Sequence, residues 1–248
     1  MPIAWKVRRV QTCSSTNDLA REMALAGEEE GVAVISKEQS RGRGRMGRSW
    51  YSVRGKGLYL SVILRPPFSS VSLLPLAAGL AVREALLDST GVQIFLKWPN
   101  DLIWEGKKMG GILCESGFSG NRLNHVILGI GLNLNHLPED FPPEIRSQAT
   151  SLRIAREEEV NADEILQGLW PALDCWYDLF LRKKKRTIIA AFEKHSALPL
   201  GKEVAVITEK ERFHGIFKGI EENGGIVLED SGKRRVFFSG DTQSIMGP

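Results

Sequence analysis

Arg41-Gly42-Arg43-Gly44-Arg45-Met46-Gly47-Arg48-Ser49-Trp50-Tyr51-Ser52 is the stretch on which the reading of this chain turns. It comes shortly after Gly31-Val32-Ala33-Val34-Ile35-Ser36, a β-branched run that reads as a strand. Its glycines fit the Gly-x-Gly-x-x-Gly spacing of a dinucleotide-binding turn. Such a turn must open directly into a helix whose N-terminus receives a pyrophosphate, with an acid about 20 residues further on for the ribose. Here the following residues are aromatic and strand-like, and no acid stands at that distance. A doubly wound dinucleotide fold is therefore excluded. Gly55-Lys56 fails as an NTPase phosphate loop, because Gly57 follows where Ser or Thr is required. What remains is a short arginine-rich loop between two strands.

Glycine lets a ligand approach the main chain closely. Arginine offers a permanent charge and a planar fork of donors suited to carboxylate and phosphate. The loop is thus built for an anion. It reads either as a clamp on the phosphates of a nucleotide or as an Arg/Gly segment for single-stranded nucleic acid. The composition makes the cluster a local device: 33 Lys and Arg stand against 30 Asp and Glu, too balanced for a protein that coats nucleic acid through its overall field. Cys13, Cys114 and Cys175 fit neither a disulfide framework nor a zinc site, which suggests a reducing compartment. No signal peptide or membrane span is evident, so a soluble, cytoplasmic protein is expected.

Outward from the loop, the pattern predicts strands at residues 5–10, 31–36, 57–64, 94–98, 111–115 and 125–134. A helix should start at Ser14-Ser15-Thr16-Asn17-Asp18 with a hydroxyl cap, carry Leu19, Met23 and Ala26 on its apolar face and stop at Gly27. Residues 72–88 form a second helix, and 162–195 are mostly helical, with Lys183-Lys184-Lys185-Arg186 as a solvated helix face or, less favoured, a docking patch. After Pro199, four short strands with polar turns suggest a small antiparallel barrel. The expected division is 1–197 and 198–248.

Two further segments carry chemistry. Lys97-Trp98-Pro99-Asn100-Asp101 ends a strand in a turn, and Lys107-Lys108-Met109-Gly110-Gly111-Ile112-Leu113 leads through a hairpin into the next. Asp101 suits an acceptor for a lysine, a ribose or a metal ion; Lys108 suits a carboxylate or α-phosphate. A plain turn and a solvated hairpin tip are the alternative. In Gly129-Ile130-Gly131-Leu132-Asn133, alternating glycines imply either a bulge or a close neighbour. The Asn133 amide suits an adenine edge. His136 reads as a strand-end histidine rather than a catalytic one, and His125, His195 and His214 have no partner motif for metal or nucleophilic chemistry.

Five segments in order resemble the biotin protein ligases: Ser15-Thr16-Asn17; Gln39 with the loop from Gly42 to Arg48 and Trp50; Lys97 to Asp101; Lys108-x-x-Gly111-Ile112-Leu113; and Gly129-x-Gly131-x-Asn133. The resemblance spans most of the first two hundred residues. It implies an α+β fold: a mixed β-sheet flanked by helices, of the class II aminoacyl-tRNA synthetase-like or biotin–lipoate ligase kind, with a small C-terminal SH3-like β-barrel. It also implies a two-step reaction on biotin and ATP with Mg2+, through biotinyl-5′-AMP, ending on a lysine of a biotin carboxyl carrier protein. By position, Ser15, Thr16 and Gln39, with Asn17, would serve the ureido head. Gly42, Arg43, Gly44 and Arg45 would close over carboxylate and phosphate, ordered once ligand arrives. Arg48 would reach ATP phosphate, and Trp50 would wall the valeryl chain or adenylate. Lys108 would neutralise carboxylate and α-phosphate, Gly111 and Leu113 would line the biotin slot, and Asn133 would contact adenine. Asp101 would orient the carrier lysine. Lys108, Arg45, Arg48 and Asp101 form the expected catalytic set, with no resident metal ligands.

Bifunctional relatives carry an N-terminal helix-turn-helix domain, for which the sequence before the first strand leaves no room; a ligase without DNA binding is expected. Some family members form homodimers. The alternatives are a lipoate or octanoate ligase, whose loop has a different composition, an adenylate-dependent repressor and a non-enzymatic Arg/Gly nucleic-acid-binding protein.

Overall fold

The computed structural model describes residues 3–68 and 70–244, so the outer limits of the expected divisions, 1 and 248, lie outside the described residues. The first division holds β1 (Lys6–Val10), α1 (Thr16–Leu25), β2 (Val32–Ser36), β3 (Gly57–Leu64), α2 (Leu74–Thr90), β4 (Phe95–Lys97), β5 (Asp101–Trp104), β6 (Lys107–Ser119) and β7 (Arg122–Asn133). The seven strands form one sheet in the order β1-β2-β3-β7-β6-β5-β4. Only β1 and β2, joined across α1, run parallel; every other neighbouring pair is antiparallel. The mixed sheet matches the expected fold class.

The period-2 rule divides the central strands cleanly. Leu58, Leu60, Val62 and Leu64 of β3, with Leu128, Ile130 and Leu132 of β7, enter the main core beneath α2. The opposite face packs Ile63 and Ile127 with Val32 and Val34 against Ala20 and Ala24 of α1. That helix starts where expected; its fully buried side chains are Thr16, Asn17, Ala20 and Ala24, while Leu19 and Met23 of the expected stripe pack half-buried against the same core and Ala26 is exposed. Small residues are required because the helix lies close on the sheet. α2 ends at Gly91, which takes φ 72°.

Two sequence expectations change around β5. Asp101 opens a short strand paired to β6, rather than ending in a turn. The hairpin tip is Glu105-Gly106, at φ 45° and 74°, so Lys107 and Lys108 already belong to β6. Short helices α3 (Pro143–Arg146) and α4 (Leu152–Arg156) follow, then α5 (Ala162–Leu181) and α6 (Lys185–Lys194). The expected long helical stretch breaks between these last two, where Lys183 takes φ 55°. The basic run therefore straddles a helix break instead of forming one helix face. No helix among the described residues is long and apolar enough to cross a membrane.

β8 (Glu203–Ile207), β9 (Arg212–Ile220), β10 (Ile226–Asp230), β11 (Lys233–Phe237) and β12 (Asp241–Ser244) form a second, antiparallel sheet in the order β11-β10-β9-β8-β12. The sequence signalled four strands; β12 is too polar to announce itself. This small SH3-like unit is tied to the large sheet by hydrogen bonds from Trp98 Nε1 to Gly224 O (3.0 Å) and from Thr242 Oγ1 to Trp98 O (2.9 Å).

Just beyond β7, His136 is fully buried and stacks on Phe141 with centroids 5.1 Å apart. Burial is the main cause that pushes its pKa down to about 4 from 6.5. Between those values the unfolded chain takes up a proton that the folded chain refuses, so stability is lost as pH falls through this window. At one pKa unit per 1.36 kcal/mol, the contribution is on the order of 3 kcal/mol. Urea unfolding at pH 7 and pH 4.5 should therefore show a larger loss for the parent than for His136→Phe; equal losses reject the assignment.

Candidate active site

The site begins with missing side chains. Gly111 pairs with Gly131 and Leu113 with Gly129, on the face of the sheet that carries α1. A Cβ at Gly131 would lie 2.8 Å from the Trp50 ring, and one at Gly129 only 2.2 Å from Asn17 Oδ1. Pairing is regular here, and the irregularity in β6–β7 lies at Gly117/Phe118. The alternating glycines thus mark close neighbours, not a bulge.

Above this floor, the arginine loop folds into its own hairpin. Gly44 N donates to Arg48 O (2.7 Å) and Trp50 N to Gly42 O (2.9 Å), with Met46 and Gly47 at positive φ at the tip. Gly42 is buried in the turn, because a Cβ there would meet Trp50 O at 2.6 Å. It holds the loop and does not line the cleft. Trp50 is pressed against Gly131 and forms the roof.

The polar end comes from the start of α1. Ser15 is the N-cap residue, yet its side chain makes no capping bond; the expected hydroxyl cap is absent. It lines the cleft instead. Thr16 N donates to Gln39 Oε1 at 2.8 Å, while Asn17 Nδ2 donates to Glu115 Oε2 at 2.7 Å.

The cationic end depends on a β-bulge. Register slips between Leu102 and Ile103, so Met109 is the extra residue on β6 and buries in the core. One inserted residue reverses the alternation. Lys108 is thereby turned to the same face as Gly111, with its Nζ 3.6 Å from the position of a Gly111 Cβ, 2.5 Å from Asp101 Oδ1 and 5.8 Å from the Trp50 ring centre. Arg45 reaches Asn100 Oδ1 at 3.3 Å, and its burial lowers its pKa against the opposing pull of Asp241 and Asp101. Arg48 pairs with Asp241 of β12, whose hydrogen bond raises the guanidinium pKa. Arg43 forks onto Glu115 at 2.8 and 2.7 Å.

These groups surround a cleft of about 110 Å³, partly open to solvent. It brings together Ser15, Thr16, Asn17, Gln39, Arg43, Gly44, Arg45, Arg48, Trp50, Asp101, Lys108, Gly111 and Leu113 from the sequence reading. Asn133 lies outside: it is buried and its Nδ2 donates to Thr150 O at 3.0 Å. Sequence reasoning missed Asp241, which no local pattern could signal, and Glu115, which shares a strand face with Gly111 and Leu113. It quoted Asn100 without a role; that side chain also donates to Ile112 O at 2.8 Å, fixing the turn beside Arg45.

No His or Cys lines the cleft. A polar pocket at one end and gathered cations at the other suit a ligand with a polar head and an anionic end, held by positioning and charge neutralisation. Residues 9–133 match the Biotin/lipoate A/B protein ligase family and residues 200–242 the Biotin protein ligase C terminal domain. The chain belongs to this family. It is 35% identical over 232 residues to the bifunctional ligase/repressor BirA of Bacillus subtilis, covering 93% of this chain and 71% of that one. Against the biotin–[acetyl-CoA-carboxylase] ligase of Paracoccus denitrificans it is 33% identical, covering 91% and 98%. Among solved structures, biotin protein ligase from Aquifex aeolicus in complex with biotin and ATP superposes with a TM-score of 0.82 at 30% identity, covering 96% of this chain and 97% of that one.

The floor makes a direct prediction. Gly131→Val should expel Trp50 at a cost of about 1–3 kcal/mol in stability, raising acrylamide quenching of tryptophan fluorescence. In a Trp50→Phe background the two forms should quench alike; a difference that persists there refutes the contact.

Proposed function

We propose that this protein activates biotin with ATP as biotinyl-5′-AMP and transfers it to a lysine of a biotin carboxyl carrier protein, of acetyl-CoA carboxylase or a related enzyme. The observation that carries this reading is the single cleft in which a polar pocket on α1 adjoins Arg43, Arg45, Arg48 and Lys108. Relatives named biotin–[acetyl-CoA-carboxylase] ligase, and a similar structure holding biotin and ATP, support it.

In the first step a carboxylate oxygen of biotin attacks the α-phosphorus, the bond to the bridging oxygen breaks, and pyrophosphate leaves. Two anions must approach, so the barrier is electrostatic. Lys108 and Arg45 draw carboxylate and α-phosphate together, and Arg48 meets the departing phosphates. Ser15, Thr16, Asn17 and Gln39 hold the ureido head, while Gly111, Leu113 and Trp50 bound the chain. Gly42 and Gly44 let the loop close, excluding water from the mixed anhydride. Asn133 takes the adenine edge by exchanging its bond to Thr150 O for one to the base. In the second step the carrier amine attacks the acyl carbon and AMP departs. Asp101, released from Lys108 as that lysine turns to phosphate, orients the incoming lysine and takes its proton, so that the neutral amine makes the attack.

Mg2+ belongs to the substrate, Mg-ATP. Among the described residues no group of three or more acidic, His or Cys side chains is placed to hold a metal. The cleft carboxylates Asp101 and Asp241 fit an ion that keeps most of its ligands from phosphate and water. We assign residues 1–197 to biotin and ATP and 198–248 to closing the cationic end through Asp241. A cytoplasmic setting suits the three free cysteines.

ATP–pyrophosphate exchange with biotin and with lipoate offered separately tests the assignment. Exchange is expected with biotin; exchange with lipoate alone overturns it, and exchange with neither removes the enzyme reading. Lys108→Ala and Arg45→Ala should each lower biotin-dependent exchange by about 10²–10³-fold without loss of cooperative unfolding. Parental rates in both variants reject their roles.

A further inference from the structure

We propose that Glu115 is a positioning residue that sets the donor–acceptor polarity of the ligand's polar pocket and, through the same carboxylate, holds loop residue Arg43 in place; this rests on the reading of the cleft as a biotin site. Glu115 stands on β6, on the face of Gly111 and Leu113, but outside the main cleft. Its Oε1 accepts from Arg43 Nη1 at 2.8 Å. Its Oε2 accepts from both Arg43 Nη2 and Asn17 Nδ2, each at 2.7 Å. Asp18 adds a second contact to Arg43 at 2.9 Å.

Counting protons carries the argument. An ionised carboxylate only accepts, so the Asn17 amide must turn its nitrogen towards Glu115. Its oxygen is then left facing Ser61 Oγ at 2.6 Å, and it accepts the one proton that Ser61 owns. The 2.7 Å contact between Ser61 Oγ and Thr16 Oγ1 must therefore take its proton from Thr16. The longer 3.1 Å contact from Thr16 Oγ1 to Gln39 Oε1 loses that competition, and the Gln39 oxygen is served by the Thr16 backbone N–H at 2.8 Å. Thr16 Oγ1 is left with lone pairs beside the cleft. The pocket presents an acceptor to an N–H donor, the chemistry of a ureido ring, and the sign is fixed three side chains away by a charge. Gly129 belongs to the same device, because any Cβ there would displace Asn17.

A neutral amide at 115 cannot serve both neighbours. If its oxygen faces Asn17, its NH2 confronts an Arg43 donor; if reversed, Asn17 must flip and the chain of hydroxyls inverts. Glu115→Gln is therefore expected to raise KM for biotin in pyrophosphate exchange by about tenfold or more, a larger factor than any change in KM for ATP. In the ligand-free protein the same variant should be cut by trypsin within residues 41–48 severalfold faster than the parent, a readout that needs no activity. A biotin KM within twofold of the parent overturns the proposal, as does a rise shared equally by ATP. An unchanged tryptic rate overturns the anchoring of Arg43. A parent protein that shows no exchange with biotin sinks the ligase reading instead, leaving the tryptic comparison to decide the contact.

Discussion

A ligand can lie against the middle of a buried sheet only where the strands carry no side chains. Gly129 and Gly131 on β7, facing Leu113 and Gly111 on β6, meet that requirement on one face while Ile130, Leu128 and Ile112 fill the core on the other. The rest of the site follows from that emptiness. Asn17 can sit over Gly129 and Trp50 over Gly131 because nothing projects between them. A glycine in a strand interior weakens it, but β7 is flanked by β3 and β6 along nearly its whole length, which offsets the loss.

Gathering cations in a half-buried cleft is the second constraint. Arg43, Arg48 and Lys108 each rest on a carboxylate: Glu115 with Asp18, Asp241 and Asp101. Among the described residues Arg45 has only the Asn100 amide within bonding distance, and burial works against its charge. It is the cation with most to gain from an arriving anion. Each ion pair lowers the mutual repulsion of the cations gathered in the cleft. Asp241 comes from the second sheet, so the small C-terminal unit takes part in the electrostatics of the cleft.

The strand and helix order was legible because hydrophobic periodicity is local. β2, β3, α2 and β7 stand within a few residues of where the pattern predicted them. The failures have physical causes as well. β5 and β12 are four residues each, too short and too mixed to show alternation. The break at Lys183 carries no glycine or proline to mark it. Ser15 has the composition of a cap but turns to the cleft. Asn133 occupies a motif position, yet the backbone of Thr150 holds its amide.

By itself the sequence determined the chemistry available: arginine and glycine in one loop, a lysine beside paired glycines, an adjacent Asn and Asp, and no nucleophile with a partner base. Those are properties of residue types and spacing, which no fold alters. Which groups meet was decided only by the tertiary structure. The bulge at Met109 reversed one alternation and brought Lys108 to Gly111. Sheet register placed Glu115 between Asn17 and Arg43, and the second sheet delivered Asp241 to Arg48 across 193 positions. Distances of this kind depend on register and crossing of elements far apart in the chain, and a one-residue slip turns a side chain to the opposite face.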